Sequence, residues 1–378
     1  MSVKGFKAFN KGMKCRGKQY EENTTYEENG NEICEAGVMH FCEEPFDVLN
    51  YYSLVDENGD ISDFAGVEAV GDIYKREDKI ATNKLHIGAK LGLKGFIKAC
   101  VDFTIEKVRV ESGKDNETDS SGDSAKIGSS GDFAKIGSSG DFAKIGSSGV
   151  FAQIGSSGVF AKIGSSGVSA QIGSSGDSAK IGSSGDFAQI GSSGVFAQIG
   201  SSGDSAKIGS SGDSAKIGSS GYFAQIGSSG VSAQIGSSGD SAKIGSSGDS
   251  AKIGSSGDFA QIGSSGDSAK IGSSGDSAKI GSSGDSAKIG SSGDSAKITS
   301  EGNNSVVMAA GYNSIAKAKI GSWITLAEWI RTDKADDNGN HIWIPKCVKT
   351  EYVDGERIKE DIFYKLVDGE FKEVESED

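Results

Sequence analysis

Near the N-terminus, in ICEAGVMHFCEEPFDVLNYY, three side chains able to hold a metal ion stand close together: Cys34, His40 and Cys42. Thiolate and imidazole together suit Zn²⁺, and Cys15 upstream would offer a fourth donor. The spacing C-x5-H-x-C lacks the paired-cysteine knuckle of structural zinc sites, and free cysteines are commonly buried as small hydrophobes. No metal or other cofactor is therefore expected. His86 and His341 have no recognisable partners, and the sequence contains no P-loop, GxGxxG turn, GxSxG elbow, HExxH helix or EF-hand loop. The chain is read as non-enzymatic, with no catalytic residues assigned.

The elements that would position these residues fall into distinct stretches. Residues 1–112 read as a small α+β domain, with GFKAF and EAVGDIY as strands and PFDVLNYYSL and LGLKGFIKACVDFTIEKV as helices, Pro45 occupying a first turn. A polar linker, 113–121, leads into twenty nine-residue repeats of the form GDSAKIGSS over 122–298. Transition repeats follow over 299–322. The tail, 323–378, reads as a β cap built from WITLAEWI, HIWIPKCVKTEYV, ERIKEDIFYKLV and EFKEV, with Asp354-Gly355 and Asp368-Gly369 as hairpin turns and Trp323, Trp329 and Trp343 in its core.

The repeats dictate the fold class: mainly β, a parallel β-solenoid flanked by the α+β domain and the cap. Ile recurs at every ninth position from Ile127 to Ile298. Only stacked coils that bury the same side chain at every turn require that register. Ala and Ile two apart share one face of a strand, while the Lys or Gln between them points outward. The G-S-S-G that follows is expected to supply the positive-φ residues of a tight corner. Strand, corner, strand, corner gives two repeats, or 18 residues, per coil. A single repeat buries too little to offset its ordering entropy, so stability must come from stacking and from the terminal regions, which are expected to cap the open ends.

Deviations from the consensus are informative. Of 14 repeats with Asp at the second position of GDSAKIGSS, 12 carry Lys three residues on; of the 6 with Val or Tyr there, 5 carry Gln. Either Asp and Lys are surface neighbours lost together, or two repeat types were copied as blocks. Apolar replacements concentrate in the first half of the array: Phe142, Val150, Phe151, Val159, Phe160, Phe187, Val195, Phe196, Tyr222 and Phe223. At positions predicted to face outward they form an apolar band, the expected contact surface for a protein partner or a second copy. The competing reading is that these rings fold over the corners and cover the solenoid's own backbone.

Charge narrows the partner classes. The net charge of −14 divides as −7 over 1–120, −1 over 121–298 and −6 over 299–378. A neutral solenoid between acidic ends suits neither a phosphate-binding channel nor a nucleic-acid mimic, so no nucleic-acid partner is expected. No apolar run suggests a leader or a membrane span. Five scattered cysteines read as reduced thiols, and residence is expected to be cytoplasmic, with a virion or leaderless export as alternatives.

Several resemblances bear on function. KAFNKGMKCRGKQY, CEAGVMHFC and PFDVLNYY, together with the WITLAEW tail, resemble an uncharacterised bacterial and phage family in which such a domain precedes β-solenoid repeats. Arg16, the H-F-C strand and Tyr51 with Tyr52 are reminiscent of ADP-ribosyltransferase-like folds, although that family's glutamate and Ser-Thr-Ser strand have no counterpart here. GNNSVVMAAGYNSIAKAKIGS, through Asn304, Ser305, Ala309 and Gly311 and then Asn313, Ser314 and Ala316, resembles the β-roll head repeats of trimeric autotransporter adhesins. The period also invites comparison with the calcium-binding β-roll, but the acidic residue falls one place early and the large apolar residue one place late. The expected function is a structural or interaction protein. Its competitors are an ADP-ribosyltransferase-like or metal-binding N-terminal domain carried on the solenoid, and an ice-binding or adhesin-like surface binder.

Overall fold

The computed structural model describes residues 2–30, 38–55, 60–76, 78–108, 117–335 and 341–375. It is mainly β, 49% strand against 6% helix, with a parallel β-solenoid of about 11 turns flanked by a small N-terminal β domain and C-terminal strands.

Each repeat contributes a four-residue strand, Lys/Gln-Ile-Gly-Ser, as in Lys144–Ser147. Lys144 pairs in parallel with Lys162 and Ile145 with Ile163, so the register advances 18 residues per coil and the coil has two sides. Ile and Ser point inward, as at Ile163 and Ser165, both 0% exposed, and Ala161 joins them. Lys or Gln and the strand glycine point outward. The corner differs from the expected one, because its left-handed residue is not glycine. Positive φ falls on the residue after Asp or Val: 56° at Phe151, 58° at Ser169 and 61° at Phe196. The corner glycine serves close approach instead. A Cβ on Gly158 would stand 1.8 Å from the carbonyl oxygen of Gly140, one coil earlier, so any side chain there would force the coils apart.

The Asp that precedes the left-handed residue also has a backbone task. Asp186 Oδ1 accepts the N–H of Asp204 at 2.9 Å, and Asp204 Oδ1 accepts that of Tyr222 at 3.0 Å. An otherwise orphaned corner donor is thereby satisfied from the neighbouring coil.

The chain divides into two compact units, 1–224 and 225–378. In the first, the strands Val3–Phe9, Asp63–Ala69, Lys84–Leu91 and Thr24–Glu27 form an antiparallel sheet, and Met39–Phe41, Lys79–Thr82 and Ile73–Arg76 a second. A bridge between Phe6 and Cys42 links the two. The segment expected as a first helix is a 3-10 turn, Pro45–Asn50, so the domain carries one α-helix, Leu93–Val108, among its described residues. That helix does not cap an end of the coil stack. It lies across one face, over Lys126–Ser129, Lys144–Ser147, Lys162–Ser165, Lys180–Ser183 and Gln198–Ser201.

In the second unit the repeats run through Lys297–Ser300 to two further parallel rungs, Val306–Ala309 and Ile315–Lys317. Asn304 and Asn313 take the left-handed corner position, at 54° and 58°. Each sheet then turns antiparallel. Trp323–Ala335 follows Val306–Ala309 in parallel and pairs antiparallel with His341–Tyr352; Phe363–Val367 runs antiparallel to both Ile315–Lys317 and Glu370–Val374. Asp368-Gly369 makes the expected hairpin turn, both residues at positive φ, whereas Asp354-Gly355 opens an irregular segment. The tryptophans are not the cap's core. Trp323 is 47% and Trp343 41% exposed, packed at a tilt against Tyr352 and Tyr312, while Ile324, Leu326 and Tyr364 fill the interior.

Candidate functional site

The aromatic rings of the expected apolar band are exposed, its Val150, Val159 and Val195 are half-buried, and the two-sided coil divides it. Corners of one kind carry Val150, Phe151, Phe187, Tyr222 and Phe223; the alternate corners carry Phe142, Val159, Phe160, Val195 and Phe196. The single band is thus two edges. The rings stand out from the backbone rather than covering it, Phe187 at 57%, Phe196 at 59% and Phe223 at 60% exposure. Rings one coil apart stack where both are present, Phe133 on Phe151 at 5.3 Å and Phe142 on Phe160 at 5.4 Å.

Between the N-terminal domain and its own unit's coils, lysines that look identical in sequence meet different fates. Lys144 pairs with Glu44 at 2.6 Å, Lys162 with Glu44 at 3.0 Å and Asp47 at 2.5 Å, and Lys180 donates to the Phe46 carbonyl at 3.1 Å and to Asn50 Oδ1. Burial and the neighbouring Lys162 push the Lys180 ammonium down to about 8. Burial alone would lower Lys162 too, but Asp47 and Glu44 outweigh it and raise it above the usual lysine range. The strand glycines on this face leave room for the docked side chains. A Cβ on Gly182 would meet Phe46 at 3.2 Å and one on Gly218 would meet Leu54 at 2.8 Å, whereas Gly173 and Gly191 on the opposite sheet have nothing within 4 Å.

A cavity of about 410 Å³ opens inside the N-terminal domain. Cys15, His40 and Cys42, the residues weighed as zinc donors, line it, and so do Arg16, Tyr51 and Tyr52. Cys34 lies outside the described residues, and among the described residues no cluster of three or more metal-ligating side chains forms. Cys15 Sγ is instead 2.9 Å from the Tyr52 hydroxyl. Burial raises the Cys42 thiol to about 12, with Asp47 adding to the effect. Burial lowers His40 to about 4, assisted by Lys79 and Lys7, so the imidazole is neutral near pH 7. Lys7 was not singled out in the sequence. Its side chain is buried at 6% exposure and donates to the His40 carbonyl at 2.9 Å. Alternation in GFKAF, with Phe6 and Ala8 flanking it, placed Lys7 on one face of the strand without revealing that both faces are covered.

Fold and site define a β-solenoid protein with a small domain seated on the side of its coils. That domain, over residues 3–99, matches the family model described as a domain of unknown function, DUF7666. Comparison with curated proteins and with solved structures gives no match. Among the described residues no helix is long and apolar enough to cross a membrane.

Proposed function

We propose that the chain is a non-enzymatic interaction protein, a β-solenoid scaffold that carries its N-terminal domain on one face and offers aromatic coil edges to a protein partner or a second copy. The observation that carries this reading is the conformation of the edge phenylalanines. Phe133, Phe151, Phe160, Phe187, Phe196 and Phe223 all sit at positive φ, where a bulky side chain is disfavoured, and all are at least half exposed. Ser occupies the same corner position in neighbouring repeats, as at Ser169 and Ser178. Neither backbone preference nor burial within the monomer therefore accounts for phenylalanine. Stacking between adjacent rungs returns about 0.5–1.5 kcal/mol for a pair, and it has no counterpart for an isolated ring such as Phe187, whose edge neighbours one coil away are Ser169 and Ser205. Contact with another molecule supplies the missing gain, since rigid, exposed aromatics are the usual anchors of protein interfaces.

The test is a triple variant, Phe151→Ser, Phe160→Ser and Phe196→Ser, compared with the parent by light scattering and by pull-down from the source organism. The backbone already holds Ser at equivalent corners, so the variant should fold with unchanged circular dichroism. Loss of self-association or of a captured partner is the expected result. If mass and capture are unchanged, the edges are not the contact surface.

A further inference from the structure

The cavity in the N-terminal domain has a charge balance unlike the rest of the molecule. Four cationic side chains, Lys7, Arg16, Lys18 and Lys79, line it against a single carboxylate, Glu28, in a chain of net charge −14. Glu28 is already engaged, paired with Lys18 at 2.5 Å. Lys79 lies over the Tyr51 ring at 5.2 Å. Arg16 holds a left-handed backbone, φ 50°, is exposed at the rim, and makes no ion pair with the described residues.

Lys7 is the decisive group. Its buried side chain is part of the cavity lining, with the His40 carbonyl as acceptor of its ammonium, the Cys15 thiol beside it, and the rings of Phe9 and Tyr20 at 5.5 and 5.8 Å. Among the described residues no carboxylate pairs with it. Burial disfavours its charged form and holds the pKa below the usual lysine value, and an anion brought into the cavity would favour the ammonium and relieve that cost. The lining also includes the apolar and aromatic side chains of Met39, Phe41, Val48 and Tyr52. A cavity of about 410 Å³ is within the range that encloses a small organic ligand.

We propose that this cavity binds a small organic anion with a planar ring, its phosphate or carboxylate directed at Lys7 and Arg16 and its ring against Phe41 and Tyr52. The proposal stands apart from the coil edges: it concerns the N-terminal domain alone and survives if the edges bind nothing.

Titration calorimetry on the full chain tests it with four probes: phenyl phosphate, benzoate, phenol and inorganic phosphate. Phenyl phosphate or benzoate should bind saturably and at least about tenfold more tightly than phenol or inorganic phosphate, since a charge-assisted contact and a ring contact are each required. Phosphate and carboxylate arms separate the two anion chemistries. Arg16→Gln, at an exposed position that leaves the core untouched, should weaken the bound probe by about tenfold, and Lys7→Met should abolish binding. If Lys7→Met does not fold, Arg16→Gln decides alone. Absence of saturable binding by both ring anions, equal binding of phenol, equal binding of inorganic phosphate, or an unaltered Arg16→Gln would each overturn the proposal.

Discussion

Replacing Gly200 with valine should destabilise the protein, while the same replacement at Gly191 should not. The two glycines hold the same place in successive repeats, Gly200 beneath the docked helix and Gly191 on the opposite, open sheet. A Cβ at Gly200 would stand 2.1 Å from Ile97 Cδ1; at Gly191 it meets nothing within 4 Å. Non-bonded carbons settle at about 3.5–4.0 Å. Ile97, at 1% exposure, must therefore retreat by roughly 1.5 Å or leave its rotamer. Overpacking of this kind costs about 1–3 kcal/mol. At Gly191 valine removes glycine's unfolded-state freedom and suits an exposed strand, a gain of about 0.5–1 kcal/mol. The two variants should differ by about 1.5–4 kcal/mol in urea unfolding, and hydrogen exchange across Leu93–Val108 should speed up only in Gly200→Val. Equal stabilities with unchanged helix protection would refute lateral docking.

Two further outcomes follow from the same unit. Lys162→Met strips Asp47, 8% exposed, of its cation and should cost about 3–5 kcal/mol, whereas Lys207→Met on the open sheet should stay within about 0.5 kcal/mol, both read by urea midpoint. His40 is held neutral in the folded domain, its value lowered from 6.5 to about 4, while the unfolded imidazole protonates from 6.5 downward. Stability is thus fully present above pH 6.5 and falls as pH drops towards 4, by about 1–2 kcal/mol once solvent screening of this half-buried group is allowed for. His40→Gln should flatten that part of the pH–stability curve.

The two-sided coil was legible because Ala and Ile stand two apart in an unbroken nine-residue beat, and the strand period leaves one face for both. The corner was not. Glycine's freedom drew the positive φ onto G-S-S-G, yet the backbone takes it at Ser or Phe, and glycine is needed because Gly140 and Gly158 stack with no room for a side chain. Lateral docking was hidden for a different reason. Glu44 and Asp47 lie about a hundred residues from Lys144 and Lys162, and every repeat lysine looks alike in isolation. One clue was present: Lys162 is the single lysine retained in a repeat that has Val in place of Asp, and it is the lysine held between Glu44 and Asp47. The exposed Trp323 and Trp343 show the limit of reading aromatics as core, since packing against Tyr352 and Tyr312 left much of both rings in solvent.

The left-handed corner residue also governs how the solenoid's edges can vary. Its backbone conformation is the same under Ser, Phe or Asn, at 58° in Ser169, 57° in Phe187 and 58° in Asn313. Its side chain points away from the Ala and Ile core. Each corner is therefore a socket whose occupant changes by point substitution without altering the coil, and like sockets recur along an edge at the strand spacing of about 4.8 Å. A lineage carrying this chain can rewrite the pattern along either edge one repeat at a time, changing what the surface meets while leaving the fold undisturbed.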